Sequence, residues 1–182
     1  MKARRAYTES LVQDYDRRHF GGKSGRYIFR QECRALKVLL GAPQGLMLDI
    51  PCGTGVYAQA CMETERATVV AADASLPMLE ATGRREIDAP RVLCDSNHLP
   101  FKDGTFDAVL TIRLFSHYPP GEVTQMLLEI KRALRPSGRV VFDTFRWTPR
   151  RWPLLRRFLD QSVIHVLGRR DVEDMIQSTG FR

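Results

Sequence analysis

Three acids that close apolar runs, two of them beside glycines or small residues, carry the chemistry legible in this chain. The first is Asp49, in the run Leu46-Met47-Leu48-Asp49-Ile50-Pro51-Cys52-Gly53-Thr54-Gly55-Val56-Tyr57. An apolar run that ends in an acid and breaks into a glycine turn is how a buried parallel strand delivers its carboxyl end to a nucleotide-like ligand at a helix start. Gly53 and Gly55 allow backbone to approach a ligand where a Cβ would clash, and the helix that follows offers free amides. Asp49 then selects the charge of that ligand. Two unit charges about 5 Å apart at an effective dielectric near 20 interact by roughly 3 kcal/mol. A pyrophosphate is repelled at this position and a cation is attracted. S-adenosylmethionine, with its sulfonium and ammonium groups, is a cofactor of the second kind.

The second acid, Asp73, closes Thr68-Val69-Val70-Ala71-Ala72-Asp73. A carboxylate there can accept both hydroxyls of a ribose, or it can serve, like Ser75, as the N-cap of the next helix. Asp95 follows a third run, in Leu93-Cys94-Asp95-Ser96-Asn97-His98-Leu99-Pro100-Phe101. It can accept from the exocyclic amine of an adenine, or simply close an Asx turn. Gly53-Thr54-Gly55-Val56-Tyr57-Ala58 also fits the dinucleotide fingerprint, with Asp73 about 20 residues on as its ribose acid. That motif alone leaves a nicotinamide-dependent oxidoreductase open, and Asp49 argues against it. A fourth run, Phe106-Asp107-Ala108-Val109-Leu110-Thr111-Ile112, exits through Arg113-Leu114-Phe115-Ser116-His117-Tyr118. His117 can act as a general base near neutral pH, pack in the core or orient a substrate.

These residues need strands that end together and helices that hold them there. Strands are expected at Leu46–Ile50, Ala67–Ala72, Val92–Cys94, Phe106–Ile112 and Arg139–Phe145. Helices are expected at Val56–Met62, Pro77–Arg85, Glu122–Leu134, Pro153–Leu167 and Asp171–Thr179. The alternation implies a doubly wound, mostly parallel α/β sheet with helices on both faces. Ahead of it, helical patterns run over Tyr7–His19 and Arg26–Leu40 around a glycine-bearing loop, Phe20–Gly25. Ile28, Cys33, Leu36, Leu39 and Leu40 fall toward one face of the second.

At 182 residues the chain is long enough for one domain with a real core. No apolar run approaches the roughly 20 residues of a membrane span, and the basic N-terminus lacks a signal-peptide core, so a cytoplasmic protein without a membrane partner is expected. Cys33, Cys52, Cys61 and Cys94 have no metal spacing and read as reduced structural thiols; no metal is expected. The net charge is +7, and residues 146–170 hold seven arginines (146, 150, 151, 156, 157, 169 and 170) against Asp160 alone. That segment reads as a solvated helix face or as a nucleic-acid footprint. After Asp171–Thr179, Gly180-Phe181-Arg182 looks like the beginning of another strand. The chain therefore reads as C-terminally incomplete, or as one whose Val140–Phe145 edge is covered by a partner or a second copy.

Taken in order, the motifs resemble those of the class I S-adenosylmethionine-dependent methyltransferases, in particular the small-molecule branch called methyltransferase type 11. The resemblance rests on Leu48-Asp49-Ile50-Pro51-Cys52-Gly53-Thr54-Gly55, on Ala72-Asp73-Ala74-Ser75 with Met78-Leu79, on Asp95 through Phe101 and Gly104-Thr105-Phe106-Asp107, and on Leu134-Arg135-Pro136-Ser137-Gly138-Arg139. It implies a Rossmann-like fold over 45–182 with residues 1–44 as a helical lid. It implies that Asp49, Pro51, Cys52, Gly53 and Gly55 hold the methionine part of S-adenosylmethionine. Asp73 would take the ribose, Ala74 and Met78 would lie against the adenine, and Asp95 with Ser96 would bind its edge. Backbone at Ile112 and Arg113 would flank the methionine portion. The family commonly has glycine at the position of Pro51, and its sheet ends in an antiparallel hairpin beyond this chain's last helix. On the acceptor side, Tyr15, Phe20, Tyr27, Arg113, His117, Tyr118 and Trp147 are candidates. The expected activity is methyl transfer to a small molecule, leaving S-adenosylhomocysteine. Methylation of RNA through the 146–170 arginines and a non-catalytic cofactor-binding subunit are the alternatives.

Overall fold

A computed structural model describes residues 8–41, 45–62, 67–85, 87–144 and 165–181. Five strands form one parallel sheet: β1 (Gly45–Asp49), β2 (Ala67–Asp73), β3 (Arg91–Leu93), β4 (Phe106–Thr111) and β5 (Leu134–Phe142). Their order is β3-β2-β1-β4-β5. The chain winds outward from β1 in one direction and then in the other, so the ends of β1 and β4 diverge at a switch point, the usual crevice for a ligand. Asp49 pairs with Ala71 on one side and Leu110 on the other, which centres it in that crevice.

Side-chain alternation splits the core between the two faces of the sheet. Leu48, Val70 and Val109 point to one face, under Val123, Met126, Leu127 and Ile130 of α5 (Pro120–Ala133). Met175 of the C-terminal helix (Arg169–Thr179) joins the same cluster. Met47, Val69, Ala108, Leu110 and Val141 point to the other face. There they meet Leu36 and Leu40 of α2 (Gly22–Leu40) and Tyr57, Ala58 and Cys61 of α3 (Val56–Met62). The helix α4 (Leu76–Gly83) adds Leu79 against Ala71, and α1 (Glu9–Phe20) packs across α2 and α4. The C-terminal helix is α6. All four cysteines are free thiols.

The expected elements among the described residues are present, with shifted ends. Two differences have physical causes. The Phe20–Gly25 loop shrinks to Gly21, and α2 takes in Gly22 through Gly25. Gly25 is there for closeness: a Cβ on it would lie 2.9 Å from the Phe20 backbone, so tertiary packing overrides weak helix propensity. β5 begins at Leu134 rather than Arg139, because α5 runs directly into it. Phe106 pairs with Leu134 and Ala108 with Arg139, so the residues between bulge out. Within α2, Leu36 and Leu40 are buried as the pattern requires, whereas Ile28 and Leu39 are exposed. At the sheet edge Val141 is buried, and the Arg139 guanidinium donates to the Leu40 carbonyl at 3.0 Å, tying β5 to the end of α2. The expected Pro153–Leu167 helix lies outside the described residues except for His165, Val166 and Leu167, which are not helical, and residue 145 of the expected fifth strand and Trp147 also lie outside them. So do all the 146–170 arginines except Arg169 and Arg170.

Candidate cofactor site at the switch point

β1 delivers Asp49 into the interior at 1% exposure, and neither carboxylate oxygen finds a hydrogen-bond partner among the described residues. Burial, then the nearby charge of Asp73, pushes its carboxyl up to about 8, with the Ala58 backbone pulling weakly the other way. An ionised carboxylate without a partner is costly in the interior, so the group holds a proton until a cation is supplied.

The chain after Asp49 folds into a tight cradle. The Ile50 amide donates to the Leu110 carbonyl (2.9 Å), and the Cys52 amide donates to the Ala72 carbonyl (2.8 Å). These pin the turn between β4 and β2. The Ile50–Pro51 peptide is cis. Gly55 has φ +81°, and a Cβ there would sit 2.8 Å from Thr82 Cγ2, so only glycine fits. Thr82 in turn donates to the Gly53 carbonyl at 2.9 Å. Gly53, in contrast, faces open space. Its amide donates to Asp73 Oδ2 at 2.9 Å, and the Ser75 amide donates to Asp73 Oδ1 at 2.8 Å. Asp73 thus joins the ends of β1 and β2 and keeps acceptor capacity for further donors. Burial raises its pKa, opposed by the amides of Ser75, Gly53 and Ala74. Cys52 is buried against Thr82, and burial pushes its thiol far up, so it is an inert filler rather than a nucleophile.

Met78 is buried, while Ala74 and Leu76 are open beside Asp73. Asp95 accepts from the Asn97 amide at 3.0 Å, closing an Asx turn, and Ser96 is buried next to it. The loop beyond is braced by Arg132, which donates to the carbonyls of Leu99 (3.0 Å) and Phe101 (2.8 Å). Arg113 has a left-handed backbone, φ +62°, uncommon for a long side chain and costing about 1 kcal/mol or more. Three contacts hold it. Its amide donates to Asp143 Oδ1 at 2.6 Å, its guanidinium meets Glu32 at 3.4 Å, and it lies 4.9 Å over the Phe20 ring.

The N-terminal helices close over this crevice through residues that the sequence reading missed. Asp16 of α1 accepts from Thr54 Oγ1 at 2.5 Å and pairs with Arg85, which also reaches the Thr54 carbonyl. Glu32 of α2 accepts from Tyr57 Oη at 2.6 Å, and Phe20 packs edge to face on Phe29 and on Tyr57, which are tilted against each other. Tyr15, stacked on His19, lies near enough to Arg113 to act on its charge. Tyr27 stands apart, exposed on the opposite face of α2 from Phe29 and Leu36. His117 is exposed in the short helical turn Phe115–His117, and Tyr118 packs partly against the α5 core. Among the described residues no cluster of His, Cys, Asp and Glu has metal-binding geometry.

Comparison with known proteins places this geometry in context. Residues 48–142 match the family model described as a methyltransferase domain. Over 117 residues the chain is 41% identical to the demethylmenaquinone methyltransferase of Clavibacter sepedonicus, covering 63% of this chain and 46% of that protein. Over 123 residues it is 28% identical to the probable tRNA methyltransferase 9B of Mus musculus, covering 67% and 26%. The fold superposes on the Haemonchus contortus phosphoethanolamine N-methyltransferase 2 in complex with S-adenosyl-L-methionine. That match has a TM-score of 0.77 and 22% identity over 97% of this chain and 42% of that one. The first three curated relatives are longer, and the chain spans 33% to 46% of their lengths.

Proposed function

The chain belongs to the class I S-adenosylmethionine-dependent methyltransferases, and from that premise we propose that it binds this cofactor at the end of β1 and methylates a small-molecule acceptor. The observation that carries the reading is Asp49. A buried carboxylate with both oxygens unpartnered, behind a turn whose Gly53 faces open space, fits a ligand that brings positive charge and needs close backbone approach. In this reading Asp49 and the turn through Pro51, Cys52, Gly53 and Gly55 hold the methionine portion, with Ile112 and Arg113 backbone beside it. Asp73 accepts from the ribose with its remaining lone pairs. Ala74 borders the adenine, joined by the open Leu76 in place of the buried Met78, and Asp95 with Ser96 meets its edge.

Bound there, the cofactor supplies a methyl group already activated by the sulfonium. The protein's part is to hold the acceptor in line and to exclude water. The helices α1 and α2 serve as the lid, latched by Asp16 and Glu32 over the crevice. Tyr15, Phe20 and Arg113 form the acceptor side next to the site, and His117 is the base for an acceptor that must lose a proton. Loss of turnover in His117→Ala, restored by raising pH, supports that role; an unchanged rate removes it. The test of the whole reading is transfer of a labelled methyl group from S-adenosylmethionine to a panel of small acceptors and to bulk tRNA. Label on a small molecule supports the proposal. Label on RNA alone, at a rate falling steeply with salt, replaces it.

A further inference from the structure

The lid helix α2 has two working faces. Its inner face holds Phe29, Glu32, Leu36 and Leu40 against the sheet and the site. Its outer face is divided. Lys23, Arg26, Arg30, Arg34 and Lys37 are all exposed and recur at helical spacing, so they share a stripe about 80° wide and about 20 Å long. None of the five forms an ion pair among the described residues, and the one acid in α2, Glu32, points inward. Lys23, Arg26, Tyr27 and Arg30 line a shallow open hollow. Beside this stripe stand Tyr27, 64% exposed, and Val38, 81%; Ile28 (52%) and Leu39 (56%) lie further round, about 120–140° past the stripe's edge toward Glu32, with Ser24, Gln31 and Ala35 between. Soluble surfaces do not ordinarily gather so many large apolar side chains on one helix with a run of cations.

We propose that the outer face of α2 docks on an anionic lipid bilayer, with the cations at the headgroup phosphates and Val38, Leu39, Ile28 and Tyr27 entering the interface. An amphipathic helix with Lys and Arg on one side and apolar residues on the other lies in the plane of a membrane without crossing it. The expectation of no membrane partner rested on the lack of a spanning run, and no described helix is long and apolar enough to cross; a surface helix needs no such run. Charge complementarity sets the choice of occupant. Five cations brought face to face would repel, which disfavours a second copy of the chain. RNA would use the cations, but it stacks on aromatic rings, and three of the four apolar residues are aliphatic. The inference does not depend on the methyl-transfer reading, because it uses only the outward side of the helix.

The experiment is co-sedimentation of the full chain with phosphatidylcholine vesicles, with and without a minority of phosphatidylglycerol. The melting temperature of each variant and its affinity for S-adenosylhomocysteine are followed in parallel. Binding is expected with phosphatidylglycerol only and is weakened by high salt. Arg30→Glu/Arg34→Glu should weaken it at least about tenfold, as should removing apolar contact with Val38→Ser/Leu39→Ser. The same reversal outside α2, Lys102→Glu/Arg170→Glu, should leave it within about twofold. Equal loss in that control pair would reduce the effect to net charge and overturn the proposal. So would binding insensitive to Val38→Ser/Leu39→Ser, or absence of vesicle binding alongside RNA binding through Arg30 and Arg34.

Discussion

Asp49 holds a proton that its ligand would displace, and this couples stability to function at one residue. Its carboxyl titrates at an ordinary 3.8 when exposed and at about 8 in the folded chain. Between about pH 4 and pH 8 the unfolded chain therefore releases a proton that the folded chain keeps, and stability falls as pH rises through that window. Asp49→Asn should match the parent near pH 4 and melt above it at pH 8, while losing affinity for S-adenosylhomocysteine; thermal melts across pH check this. The neighbouring glycines separate two further effects. Gly53→Ala adds a Cβ to open space at φ +55°, so it should cost about 1–2 kcal/mol but remove most ligand affinity. Gly55→Ala meets Thr82 as well as strain at φ +81°, and should cost more, about 2–4 kcal/mol in urea unfolding. Asp49, the glycines and Asp73 were legible because strand ends and turns are local patterns. The pairings of Asp16 with Arg85, 69 residues apart, and of Glu32 with Arg113, 81 apart, were not, although Arg113 itself was a candidate. Each partner is an ordinary charged residue on a helix or loop until the fold brings the other beside it.

At the scale of elements, the latch between α1 and the glycine turn is the most exposed part of the account. Asp16 and Arg85 are partly solvated, so their pair is worth about 1 kcal/mol or less. Asp16→Ala should therefore leave the melting temperature within a few degrees. It should speed amide exchange in Glu9–Phe20 severalfold without changing exchange in β1 and β4, which hydrogen-exchange mass spectrometry resolves. If the sheet exchanges faster as well, α1 is part of the core rather than a lid. Strand positions were readable here because apolar runs of three to seven residues ended in acids or turn residues. The start of α2 was not, since three glycines read as a loop and only the close approach of Gly25 to Phe20 explains the helix. The bulge that opens β5 was hidden for the same reason: Arg135-Pro136-Ser137-Gly138 reads as a turn, and only pairing with β4 extends the strand across it.

For the whole molecule, the order β3-β2-β1-β4-β5 is what makes one crevice out of separate motifs, since it brings the ends of β1, β2 and β4 side by side. The two core clusters should then respond differently to truncation. Leu127→Ala, buried on the α5 face, should cost about 2–5 kcal/mol while the folded fraction keeps its ligand affinity. The central claim is that the Asp49 end of β1 receives the positively charged amino group of the cofactor's methionine portion, which S-adenosylhomocysteine keeps, and calorimetric titration of the chain at pH 8 tests it most directly. S-adenosylhomocysteine should bind with micromolar affinity, release about one proton at pH 7 and none well above pH 8, and fail with Asp49→Asn, while NADH gives no heat. Binding of NADH with no response to S-adenosylhomocysteine would contradict the account and return the glycine turn to a dinucleotide.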